Sequence, residues 1–293
     1  MRMLFCWVVL LAAGTAGAAD FEKQVNADPR GRVDVSNIAG HVEVSGWDKP
    51  EVAVRANLSS SWLKIEVTSE QGRTLVRVGR GGGGDGGGGS ADLHLQVPRG
   101  SELAVSTVSA EVKSTGVQGE QRLQTVSGRI EAQIGTASVE AKTVSGSIQL
   151  TGAGEPASVR VNSVSGDVSL EHGAGSLEAT TVSGRLKIAL SPARSVRVRT
   201  TSGELEFSGR LAHDASVEVQ TISGALHLKA APDPGYEYEV DTFSGSIDTC
   251  FGQQSWRTSQ YGPGWRLAGT RGSGREAQLR AKTLSGSVSL CEH

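Results

Sequence analysis

Short runs of alternating apolar and polar residues recur along this chain, and the same four-residue phrase interrupts each of them. Before Gly146, Val139, Ala141 and Thr143 alternate with Glu140 and Lys142; after it, Ile148 and Leu150 alternate with Ser147 and Gln149. A period of two predicts a strand on either side. Gly224 has the same surroundings, with Val217, Val219 and Thr221 before it and Leu226 and Leu228 after it. Thr221 and Ile222 are adjacent, yet both fall on the apolar series. The alternation therefore changes phase between them, which predicts a bend or bulge that glycine completes. No helical period appears, and the expected class is all-β.

The phrase is Thr-apolar-Ser-Gly. Its copies end at Ala110, Gly128, Gly146, Gly166, Gly184, Gly203, Gly224, Gly245 and Gly286, with a degenerate form, Asn37-Ile38-Ala39-Gly40, upstream. Successive copies are 18 to 21 residues apart, except for a last step of 41. A unit of this length with one apolar face cannot bury that face alone, and stacking copies does so continuously. The expected architecture is a stacked right-handed β-solenoid. Charges support it: six residues before each closing residue stand Arg122, Glu140, Arg160, Glu178, Arg197, Glu218, Glu239 and Arg280. In-register stacking puts these side chains about 4.8 Å apart, where alternating sign avoids repulsion. The corner threonine is expected inside, its hydroxyl meeting a backbone group that the ladder leaves free.

Outside the repeats, residues 1–19 read as a secretory signal, with Arg2, an apolar run from Leu4 to Ala13, and small residues at Ala16-Gly17-Ala18. Residues 20–98 form a strand-rich N-terminal region with a glycine-rich loop at 79–92, and 99–293 form the solenoid. An insertion at 251–275 carries Phe251, Trp256, Tyr261 and Trp265 in a chain that is only 4% aromatic. It is expected to cap the open end of the stack. Trp256, Tyr261 and Trp265 are also the candidate binding surface.

The net charge of −2 and the interspersed signs exclude the basic stripe of a nucleic-acid binder. No segment after the signal is apolar enough to span a membrane. Cys250 and Cys291 each lie five residues after a motif glycine, so they share a repeat position. If 251–282 is one rung with an insertion, they meet on adjacent strands and form a disulfide. No catalytic set, cofactor motif or metal-ligand spacing appears. Gly79, Gly81 and Gly84 fit a dinucleotide-type spacing, but no helix follows. The histidines lack zinc-site spacing.

This organisation resembles the bacterial putative-adhesin family of β-strand repeat domains. The resemblance rests on the segment from Asn37 to Asp48, on Val97-Pro98-Arg99-Gly100 and on the serial Thr-Val-Ser-Gly copies. It implies the repeat fold and supplies no catalytic residues.

The expected function is a non-enzymatic exported protein with an adhesion, binding or envelope-scaffold role, in the periplasm or at the cell surface. Its expected partners are a glycan or an envelope protein. The alternative is a polysaccharide-active β-helix enzyme using Asp167, Glu204 and Glu206, but each sits at a repeat-defined outward position near a basic residue. A third reading is a component of envelope-stress signalling.

Overall fold

A computed structural model describes residues 19–81, 89–233, 235–259, 263–273 and 276–292. Every regular element among them is a strand, and all strands join one sheet system that winds like a solenoid. The signal expected at 1–19 lies outside the described residues except for Ala19.

The N-terminal strands are β1 (Ala19–Asn26), β2 (Arg32–Trp47), β3 (Glu51–Leu58), β4 (Leu63–Glu70), β5 (Arg73–Arg80) and β6 (Ala91–Pro98). The glycine-rich segment is shorter than 79–92, because Gly79 and Arg80 fall within β5 and Ala91 and Asp92 within β6; residues 82–88 lie outside the described residues. The repeats follow as β7 (Glu102–Thr115), β8 (Gln121–Thr125), β9 (Ile130–Ile134), β10 (Val139–Thr143), β11 (Ile148–Gly152), β12 (Pro156–Ser165), β13 (Val168–Ser183), β14 (Arg185–Gly209) and β15 (Leu211–Ala230). The last group is β16 (Tyr236–Ser244), β17 (Ile247–Thr249), β18 (Trp256–Arg257), β19 (Trp265–Arg271) and β20 (Ala277–Glu292).

Each motif copy is a corner between two strand segments of one rung, and neighbouring rungs pair parallel and in register. Glu140 stands opposite Arg122 on one side and Arg160 on the other. Arg160 faces Glu178, Glu178 faces Arg197, and Arg197 faces Glu218. The alternating residues Val139, Ala141, Ile148 and Leu150 are buried, as the period of two requires. The corner threonines are buried too. Thr125 and Thr143 accept hydrogen bonds from the amides of Gly128 and Gly146 at 3.0 and 2.9 Å, while Thr181 and Thr221 donate to the carbonyls of Ser183 and Ser223. At Gly146 glycine is required by close approach, since an added Cβ would overlap the carbonyl oxygen of Gly128 on the previous rung.

Spatial order departs from chain order at both ends. β2 pairs with β7 on one side from Arg32 to Ser45. On its other side lie β5 and then β6, so a later segment forms the outermost parallel rung. At the far end β20 lies between β15 and the pair β16–β17. Arg280 therefore stands opposite both Glu218 and Glu239. The like-signed step from Glu218 to Glu239 in the sequence is thus never a spatial contact. Antiparallel strands close both ends: β4 on β5 and β3 on β6, with β1 beyond β3, and β19 on β16.

Candidate functional site

The corner that buries threonine turns the next residue outward. The sequence pattern placed both on the apolar face, and the structure corrects this. In stacking order the outward residues are Ile38, Val108, Val126, Val144, Val164, Val182, Thr201, Ile222, Leu284 and Phe243. Val144 is 46% exposed, Ile222 52% and Phe243 55%, and the other apolar members lie close to these values. Backbone bonds hold the corners together: the amide of Val126 donates to the carbonyl of Val108 and that of Val144 to Val126, both at 3.2 Å. The result is an apolar ridge along the whole stack with one side chain about every 4.8 Å. It is the dominant exposed apolar feature of the described residues, since Trp256 is the only other large hydrophobic group as exposed. Contiguous patches of this kind mark contact surfaces, whereas scattered apolar residues do not.

The ridge is flanked by polar groups, uncharged on one side and mixed on the other. On one side run the motif serines, whose hydroxyls donate weakly to the rung before, as Ser145 does to Val126 at 3.4 Å. On the other side Ser106, Gln124, Asn162, Thr180 and Gln220 are joined by Lys142, Arg199, Lys282 and Asp241. A shallow groove of about 480 Å³ follows this side between Thr107 and Val182.

At the C-terminal end the ridge approaches the aromatic insertion. Trp265 on β19 lies opposite Thr242, the residue before Phe243. The guanidinium of Arg257 stacks over the Trp265 ring at 4.9 Å, and Trp256 is 46% exposed. Tyr261 lies outside the described residues. Beneath this surface Tyr236 and Tyr238 are buried, with Tyr238 and Phe251 ring centroids 5.9 Å apart and Arg271 over Phe251 at 4.3 Å. The Tyr238 hydroxyl bonds to Gln253. Burial pushes the Tyr236 hydroxyl pKa up to about 12, and that hydroxyl has no partner. Cys250 and Cys291 are joined in a disulfide, with Cα atoms 5.0 Å apart. Both side chains reach the surface, Cys250 exposed and Cys291 half-buried.

Of the carboxylates considered for polysaccharide chemistry, Glu204 and Glu206 are engaged in ion pairs and Asp167 accepts a backbone amide hydrogen bond. Arg185 stands between Asp167 and Glu204: its amide donates to Asp167 at 2.9 Å and its guanidinium lies 3.2 Å from Glu204. Lys229 binds Glu206 at 3.0 Å and holds that carboxyl below the usual range. His41 bonds to Asp92 at 2.9 Å, which raises its pKa, and His94 bonds to Glu43 at 3.0 Å. Among the described residues no group of three His, Cys, Asp or Glu side chains is placed to hold a metal. No helix among them is long and apolar enough to cross a membrane. An open notch of about 840 Å³ lies at the opposite turns, beside Glu171, His172, Lys187 and Arg210.

The sequence carried a signal for the ridge that the period-two reading passed over. A residue next to an inward threonine faces outward unless the chain bulges between the two, and here the single phase shift falls after it, at the serine. The apolar member of every phrase was therefore a surface residue.

A family model described as Toastrack DUF4097 matches residues 32–249. No curated protein matches the chain. Among solved structures, a putative cell adhesion protein from Clostridium sporogenes is 9% identical, covering 94% of this chain and 100% of its own, with a TM-score of 0.29. A putative adhesin from Bacteroides fragilis is 10% identical, covering 93% and 97%, with a TM-score of 0.36. A putative lipid binding protein from Parabacteroides distasonis is 12% identical, covering 94% and 96%, with a TM-score of 0.28. Likeness at this level carries no weight for function.

Proposed function

The chain belongs to the Toastrack family, and from that premise we propose that it is an exported, non-enzymatic contact protein whose corner ridge is its binding surface. The observation that carries this reading is the ladder of half-exposed apolar side chains from Ile38 to Phe243. A rigid stack presents them without ordering cost, which favours association. Export rests on the apolar run Leu4 to Ala13 and the small residues after it. It places the chain in the periplasm or at the cell surface, among glycans and envelope proteins. We assign the stack a right-handed winding, the hand taken by nearly all parallel β crossovers.

The absence of an enzymatic role rests on ion pairing. Glycoside hydrolysis needs two free carboxylates about 5 to 9 Å apart on one face. Asp167, Glu204 and Glu206 are instead interleaved with Arg185 and Lys229. The test is a glycan array together with binding to isolated envelope fractions, for the parent chain and for Val144→Glu with Val164→Glu. Retention that falls at least tenfold in the variant is expected. Polysaccharide turnover that disappears in Glu206→Gln, with the fold intact, would overturn the reading.

A further inference from the structure

We propose that the ridge is a homotypic interface: its partner is a second copy of this chain, laid lengthwise along the first. This rests on the reading of the ridge as a contact surface and names what covers it.

The fold does not need apolar groups at these corners. Thr201 occupies the same position in its own rung, and its neighbours Thr200 and Ser202 keep the corner hydrogen bond at 3.4 Å. Some other outward ladders vary freely along the stack. The one six residues before the glycines alternates arginine with glutamate, and the one just before the threonines mixes Ser, Gln, Lys, Asn, Thr and Arg. Two outward ladders keep one chemistry, the motif serines and the ridge beside them, and the ridge keeps the one that water penalises.

Spacing identifies the partner. Side chains set about every 4.8 Å on a straight ridge are matched best by a surface with the same period, and another copy of this stack has it by construction. Ten rungs span about 43 Å. A strip of that length with its polar flanks offers on the order of 700 Å² per copy, close to the roughly 800 Å² per partner of a standard interface. The flanks also fit: the serine side is uncharged, as in the core of a protein interface, and the other side mixes neutral groups with Lys142, Arg199, Asp241 and Lys282, as in a polar rim. A membrane surface is less well served, since Lys142, Arg199 and Lys282 are offset by Asp241 and spread along the stack. Such surfaces are bound by denser basic clusters.

Sedimentation equilibrium of the purified full chain at micromolar concentration tests this. The expected species is a dimer. Val144→Glu with Val164→Glu places four carboxylates in the interface and weakens dimerisation at least ~100-fold. Circular dichroism should leave its strand signal unchanged, because both side chains are half-exposed. Thr201→Val, which completes the ridge, tightens dimerisation about fivefold. Arg160→Ala, on a different outward ladder, changes nothing. A chain that stays monomeric at high micromolar concentration overturns the proposal. So does a dimer indifferent to the ridge variants and to Thr201→Val. If the chain is monomeric but binds a glycan, phospholipid vesicles or an envelope protein through Val144 and Val164, the homotypic partner is wrong while the contact role stands.

Discussion

The two ends of the stack solve the same problem with different means. Each end leaves an outermost parallel rung whose edge would pair with any free strand. At the N-terminal end, eight-residue antiparallel strands β3 and β4 cover the edges of β6 and β5, and β1 adds a further layer over β3. At the C-terminal end only β19 covers β16, β18 is two residues long, and β17 has just three. This thinly covered end carries the disulfide and the buried Tyr236–Tyr238–Phe251 cluster. Where hydrogen-bonded cover is short, a covalent tie and aromatic burial take its place. Stability in a repeat stack is local to neighbouring rungs, so each end should answer to its own device.

The largest test is the tie. Cys250→Ser with Cys291→Ser opens a loop with a sequence separation of 41. Loop-closure entropy puts the loss at about 4 kcal/mol. Amide exchange in β16, β17 and β19 should accelerate by orders of magnitude while β2 to β6 keep their protection. Equal acceleration at both ends would mean the stack opens as one unit and the comparison fails. Next in size is Gly40→Val at the other end. An added Cβ there would meet the backbone of Ala91, and the residue has a φ of +107°. A loss of about 3 kcal/mol is expected, read as a lower urea midpoint with exchange rising first in β2 and β6.

A smaller effect of opposite sign comes from Tyr236→Phe. The hydroxyl is buried without a partner, so removing it should stabilise the C-terminal end by about 1 kcal/mol and raise its melting temperature. The smallest is a pH effect at the N-terminal end. The bond to Asp92 raises the His41 pKa, against a lesser opposing pull from burial. Its contribution is therefore full below the unfolded-state pKa and is lost as pH rises through the folded value. Glu206 and Glu218 behave oppositely: Lys229 and Arg197 lower their pKa values, and their contribution is lost as pH falls. Because His41 is largely exposed, the change in stability is small. An NMR titration of Asp92→Asn should show the His41 pKa falling toward about 6.5.

Register, face and the inward threonine were legible because a period-two pattern determines which side chains share a surface. The opposition of Glu140, Arg160 and Glu178 follows from that pattern alone. The place of β20 was not legible from the motifs, since Thr283-Leu284-Ser285-Gly286 could extend any free rung edge equally well. The cysteine positions required β20 to neighbour β17, but not on which side. The sign break between Glu218 and Glu239 calls for Arg280 beside Glu239, and that Arg280 also faces Glu218 is seen only in the structure. The ridge was missed for a different reason. Hydrophobicity predicts burial, and at these corners the backbone geometry overrides it.

The intercalation of β20 has a temporal meaning. A chain made from its N-terminus carries β15 and β16 before residues 277–292 exist, and the one-strand slot between them in the finished fold is filled by the last segment made. Direct closure of that slot would set Glu218 against Glu239, and the repulsion discourages a premature seal. The last segment to be synthesised is then also the keystone. A product truncated before Ala277 keeps two unsatisfied strand edges, which leave an unfinished chain open to edge-to-edge association.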